Sequence, residues 1–155
     1  MKLFDRLGKL RDRRRPYCTM IVPAAGESRR MGGGNKLLLP LEGEPVLAHL
    51  RAIDAATLVD EIILSTRTEC LAEMAELCQK CSLQKPVRVV VGGETRTHSV
   101  LAAALEANEK ARLIAVHDGA RPLIRPEQID ELIRFGERTY AAAPAVPVSD
   151  TIKRT

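Results

Sequence analysis

At 155 residues, with 45% apolar and 28% charged side chains, the chain has the length and balance of one globular domain. The absence of Trp, with only two Phe and two Tyr, makes the core aliphatic and removes the stacking faces single-stranded nucleic acid needs, so no nucleic-acid partner is expected. Seven of the cations lie between Met1 and Pro16 against Asp5 and Asp12, a local +5, so the net +4 leaves the remainder near −1 and anionic ligands must be met by a few placed cations.

Residues 1–18 read as a basic arm. Leu3, Phe4, Leu7 and Leu10 stand at helical spacing beside cations, which would suit an anionic membrane or a presequence. Asp5 and Asp12 weaken the presequence reading, and a solvated or partly frayed arm is expected over either. No apolar run approaches the ~20 residues of a membrane span, and the start lacks a signal peptide's apolar stretch. A cytoplasmic protein without stable membrane association is expected.

The domain itself is expected over residues 19–148. Thr19–Val22 reads as a buried strand, followed by a loop from Pro23 to Asn35. Pro45–Leu58 has helical periodicity, and Glu61–Leu64 is a short β-rich run. Cys70–Cys81 predicts a second helix. It contains the pair Cys78 and Cys81, but no second ligand pair stands at zinc spacing, so reduced thiols are expected for these and for Cys18 and Cys70. Val87–Val91 predicts a third strand, Arg96–Asn108 an alanine-rich helix and Leu113–Val116 a fourth strand. Pro126–Arg138 predicts a helix opened by a proline, and Ala142–Val148 a fifth strand. Regular β-α alternation with near-continuous aliphatic strands implies an α/β, Rossmann-like, mostly parallel sheet with helices on both faces.

Ligands bind such sheets beyond the carboxyl ends of the strands. The first end carries PAAGESRRMGGGNK, where Ala24, Ala25 and Gly26 allow close backbone approach and Arg29, Arg30 and Lys36 surround flexible glycines. It matches neither GxGxxG nor GxxxxGK[ST], since Leu37 follows Lys36. After the third strand comes GGETRTHS, with Gly92 and Gly93 beside Ser99 at a helix start. His98 next to Ser99 has no acid partner, which argues against a nucleophile pair. HDGARP follows the fourth strand. There Asp118 suits a Mg²⁺ or hydroxyl partner, or a simple turn cap, and Arg121 suits a phosphate clamp. VPVSDTIKRT closes the chain with Thr151, Lys153 and Arg154.

AAG…RRMG…K, GGETRTHSV, HDGARP and VPVSDTIK, in this order and spacing, resemble the 2-C-methyl-D-erythritol 4-phosphate cytidylyltransferases, from about Met20 to Lys153. The resemblance implies a nucleotide-diphospho-sugar transferase type of fold, CTP and a sugar-alcohol phosphate as substrates, Mg²⁺ as the cation, and a homodimer. It also implies roles. Arg30 and Lys36 would stabilise transition-state charge. Pro23, Ala24, Ala25, Gly26, Gly93, Glu94 and Ser99 would hold ribose and cytosine, with Gly119 against the nucleotide. Asp118 and Arg121 would bind the acceptor, Asp118 also facing the metal, and Thr151 with Lys153 would do so from an arm that crosses to a partner. Ser28 replaces the family's second loop glycine. The family's chains continue further, so residues 149–155 read as the start of a truncated dimerisation arm. Ribitol-5-phosphate cytidylyltransferases, and a non-catalytic nucleotide-binding or dimerisation fragment, are the alternatives.

Overall fold

The computed structural model describes residues 15–26 and 35–147. Its frame is a four-stranded sheet in the order β5-β4-β1-β6, formed by β1 (Tyr17–Pro23), β4 (Glu61–Thr66), β5 (Val87–Val91) and β6 (Ala111–Val116). Every pairing is parallel. A two-stranded hairpin, β2 (Pro40–Leu41) with β3 (Glu44–Pro45), stands apart from it. The helices are α1 (Leu50–Ala55), α2 (Leu71–Lys80), α3 (Arg96–Leu105) and α4 (Pro126–Thr139). None among the described residues is long and apolar enough to cross a membrane.

Parallel pairing needs a crossover between neighbouring strands, and each crossover here carries helix. The central strands are shielded on both sides, as their sequences demand: all six residues of β4 are buried, and Cys18–Val22 of β1 are too. On one face Met20, Val22, Ile62 and Leu64 join Leu50 and Ile53 of α1, Met74 of α2, and Ile129 and Ile133 of α4 in the main core. Among the described residues the other face has one helix. Ile21 and Ile63 meet Ala103 of α3, which packs across β1, β4 and β5. Strand β6 lies beyond its reach, so Ile114 and Val116 are exposed while Leu113 and Ala115 face the main core.

Charged side chains pin the pole opposite the carboxyl ends. Arg15 donates to both oxygens of Asp60 at 2.8 and 2.7 Å, and the Cys18 amide donates to the same carboxylate at 2.8 Å. Buried Glu61 accepts from Thr19 Oγ1 at 2.6 Å and from the Asn108 amide at 2.8 Å, tying the end of the α3 crossover to the sheet.

Three expectations change. Strand β1 begins at Tyr17, so Cys18 belongs to the core. The helix predicted over 45–58 is a 3₁₀ turn, Val46–His49, followed by the short α1, because the Thr57 and Leu58 amides donate to Asp130 of α4 instead of continuing a helix. Among the described residues the fifth strand does not form: residues 141–147 are irregular and exposed, with prolines at 144 and 147 that cannot donate to a ladder.

Candidate functional site

The carboxyl ends of the four strands open into one cleft of about 730 Å³. It is lined from β1 by Pro23–Gly26, from the following turn by Lys36 and Leu37, and from β4 by Arg67. The β5–α3 turn contributes Gly93, Glu94, Thr95, Arg96 and Ser99, and the segment after β6 contributes Asp118, Ala120 and Arg121.

Backbone hydrogen bonds hold the walls together. The Ala24 amide donates to Ser65 O at 2.7 Å and the Gly92 amide to Thr66 O at 2.7 Å, so both turns are fastened to the end of β4. Glycine is required where they meet. A Cβ on Gly92 would stand 2.8 Å from Ser99 Oγ and 3.2 Å from Ala25 Cβ, and one on Gly93 would stand 2.4 Å from His98 Cβ. Thr95 caps α3, its hydroxyl accepting from the His98 amide at 3.1 Å. The buried Ser99 hydroxyl lies 3.1 Å from Gly93 O and 3.0 Å from Thr95 O, and accepts from the Gly93 amide at 3.2 Å. Ser99 therefore shapes the wall through the backbone on either side of it. Asn35 accepts from the Leu37 amide at 3.1 Å, and the buried Leu37 side chain anchors the turn that presents Lys36.

Asp118 sits between two arginines. Its Oδ1 accepts from Arg96 Nε at 3.0 Å and Nη2 at 2.9 Å, and its Oδ2 from Arg121 Nε at 3.2 Å. Partial burial pushes this carboxyl up, but the Arg96 and Arg121 hydrogen bonds and charges outweigh it and hold it below the usual carboxylate value. Asp118 is thus an anion that arranges two cations at the cleft wall. Charge-assisted bonds of this kind orient an arginine fork for phosphate.

A resident metal cage is absent among the described residues, since no three His, Cys, Asp or Glu side chains converge. The carboxylates lining the cleft, Asp118 and Glu94, fit a site that holds Mg²⁺ by one or two carboxylates plus substrate phosphates. The cysteines are buried free thiols. Burial pushes Cys78 up to about 11 and Cys18 up to about 12, which keeps thiolate scarce at neutral pH.

The structure brings together Pro23, Ala24, Ala25, Gly26, Lys36, Gly93, Glu94, Ser99, Asp118 and Arg121, with Gly119 packed behind them against Val22. Arg30, Thr151 and Lys153 lie outside the described residues. Two lining arginines had no assigned role in the sequence reading. Arg96 stands inside GGETRTHS, but its partner Asp118 is 22 residues away. Arg67 directly follows the second main strand, and applying the carboxyl-end rule to that strand as well would have found it.

Small-residue turns and cations at the carboxyl edge of a parallel sheet belong to an α/β, Rossmann-like fold of the nucleotidyltransferase type. The family model of 2-C-methyl-D-erythritol 4-phosphate cytidylyltransferase (IspD) matches residues 18–155, and the chain belongs to that family. It is 41% identical over 140 residues to the Bacillus pumilus protein of that name, covering 89% of this chain and 61% of the relative. A solved 4-diphosphocytidyl-2C-methyl-D-erythritol synthase superposes with a TM-score of 0.70 at 27% identity, covering 91% of this chain and 64% of that one. The manganese complex of Rv0371C from Mycobacterium tuberculosis gives 0.59 at 26% identity, covering 79% and 60%. The chain spans about three fifths of the length of the curated relatives it matches.

Proposed function

We propose that this chain is the nucleotide-binding part of a cytidylyltransferase that moves CMP from CTP to 2-C-methyl-D-erythritol 4-phosphate and releases pyrophosphate. The observation that carries the reading is the placement of Lys36, Arg96 and Arg121 around one cleft walled by Ala24–Gly26 and Gly93. An oxygen of the acceptor's phosphate attacks the α-phosphorus in line. The new O–P bond forms as the bond to the β-phosphate oxygen breaks, and that electron pair leaves on pyrophosphate. A phosphate nucleophile is already ionised, so the protein's work is positioning and charge stabilisation. Lys36, with Arg30, would meet the charge that develops on the α-phosphate. Asp118 would hold Arg96 and Arg121 toward phosphate, and the two turns would hold ribose and base. A divalent cation, Mg²⁺ in this reading, supplies neutralising charge to the triphosphate when bound. The active form is a cytoplasmic homodimer in which Thr151 and Lys153 reach a partner's acceptor site.

The test is pyrophosphate release from CTP with methylerythritol phosphate and, separately, ribitol 5-phosphate. It is run on this chain and on a version extended to the relatives' length. Lys36→Ala should lower kcat by ~10²-fold while changing CTP affinity much less. Near-normal turnover in that variant would remove Lys36 from the mechanism, and preference for ribitol phosphate would reassign the acceptor.

A further inference from the structure

We propose that the open edge of β5, with the groove between that strand and α2, binds the C-terminal tail of another protein. The tail adds to the sheet as an antiparallel strand, and its terminal carboxylate meets Lys85.

Strand β5 ends the sheet, with β4 on one side of it only. The Ile62 amide donates to Pro86 O and the Gly92 amide to Thr66 O, and Ile62 stands opposite Val87. A parallel ladder alternates, so positions 86, 88, 90 and 92 face β4 while the backbone groups of Val87, Val89 and Val91 point out of the sheet. Edges are usually blunted by charge or proline. Here Pro86 and Arg88 stand at positions that already face β4. Arg88 is also held on the α3 side by Glu106, through its carbonyl at 2.7 Å and its carboxylate at 3.1 Å. The outward positions are all valine. This edge is unguarded.

Beside the edge runs a groove of about 550 Å³. Leu71, Ala75 and Cys78 of α2 line it with Leu83, Val87 and Val89. Val87 and Val89 are half-buried, while α2 reaches the main core through Met74. An added strand turns its side chains alternately to either face. Every second one can therefore enter a slot of this kind while main-chain bonds hold the strand to Val87 and Val89. No residue of the groove lines the cleft at the carboxyl ends.

Charge selects the occupant. Among the described residues the only charged side chain lining the groove is Lys85. Its ammonium donates to the Asp54 carbonyl, a neutral acceptor, and an ammonium has three donors. The Asp54 carboxylate is turned to the Gln84 and Lys85 amides, at 2.8 to 3.1 Å. Lys85 precedes β5, so an antiparallel strand arrives there with its C-terminal end, and the carboxylate takes the remaining donors. Other occupants bring the wrong charge. Strand β5 of a second copy carries Arg88 and no acid, and the segment from Met1 to Pro16 carries a net +5.

The experiment is fluorescence anisotropy of a labelled peptide, Thr-Val-Thr-Val-Thr-Val, titrated with the 155-residue chain. The peptide carries either a free C-terminal carboxylate or an amide. The expected result is saturable binding of the acid, ~10-fold weaker binding of the amide, and slowed hydrogen exchange at the Val87 and Val89 amides in the complex. Lys85→Met should bind both peptides alike, and Ala75→Trp, which fills the groove, should bind neither. Melting temperatures and circular dichroism establish that both variants are folded. The comparison of acid with amide on the wild type needs no variant. No binding, equal binding of acid and amide, or binding that leaves the Val87 and Val89 amides exchanging freely overturns the proposal. So does a Lys85→Met variant that keeps the preference for the acid. Protection of the same amides at high protein concentration without peptide, together with a doubled mass that Ala75→Trp abolishes, overturns it in favour of a second copy.

Discussion

At Gly93 a single hydrogen decides whether the β5–α3 turn can close. A methyl group there would meet the Cβ of His98 at 2.4 Å, closer than real side chains come, and its carbonyl carbon at 3.2 Å, a tight contact. Gly93→Ala should therefore cost about 1–3 kcal/mol and displace the Ser99 hydroxyl from the Gly93 backbone. Nucleotide affinity should fall with it, because this turn is a wall of the cleft. His98→Ala leaves the offending Cβ in place and should not rescue the variant, whereas His98→Gly removes it and should recover part of the loss. Thermal melts and CTP titrations of the wild type, the three single variants and the two double variants form the two cycles that check this. The same scale shows what the sequence could reveal of the site. Turn glycines and loop cations are legible because their chemistry is local. The Arg96–Asp118 pair is not, because only the fold brings position 96 to position 118.

Among the elements, α4 is fastened to the end of α1 by one carboxylate. Asp130 accepts from the Thr57 amide at 3.0 Å, the Thr57 hydroxyl at 2.6 Å and the Leu58 amide at 2.8 Å. Burial pushes its carboxyl up, but these donors and the Arg134 charge outweigh it and hold it below the usual value of 3.8. A depressed folded value means the contribution is complete above the unfolded value and fades as pH falls through the folded one. Asp130→Asn should thus be less stable than wild type by ~1–3 kcal/mol at pH 7, and the gap should narrow in acid below about pH 4. Denaturant unfolding at pH 7 and at successively lower pH values measures it, and a gap that widens in acid would contradict the assignment. This contact also explains why the helix predicted over 45–58 stops early: its last amides have a partner 72 and 73 residues away. The four main strands and the helices α2, α3 and α4 were legible because their aliphatic runs and 3.6-residue periods are local signals. The β2–β3 hairpin was not. Its turn places Glu42 and Gly43 at φ of 53° and 87°, a geometry usually signalled by Asn-Gly or Asp-Gly.

For the molecule as a whole, the two faces of the sheet are unequally covered, and the difference has a measurable consequence. Among the described residues three helices close one face over the main core, while α3 alone crosses the other, packing on β1, β4 and β5. Ile114 and Val116 on that face are 46% and 42% exposed, and on the same side of the sheet α3 presents Leu101 and Leu105 at 54% and 77%. Strand β6 is also a sheet edge in the described structure, with backbone groups available to another strand. Apolar surface beside an open edge drives association. The 155-residue chain should therefore bind a hydrophobic dye and show a mass in light scattering that rises with concentration. Leu105→Lys with Ile114→Thr should suppress both effects. Lysine suits the last turn of α3 and threonine keeps a β-branched side chain in the strand. Neither residue lines the cleft, so CTP affinity in the double variant should match wild type. A wild-type chain that stays monomeric at every concentration and binds no dye would show that this face is covered in solution by residues other than those described.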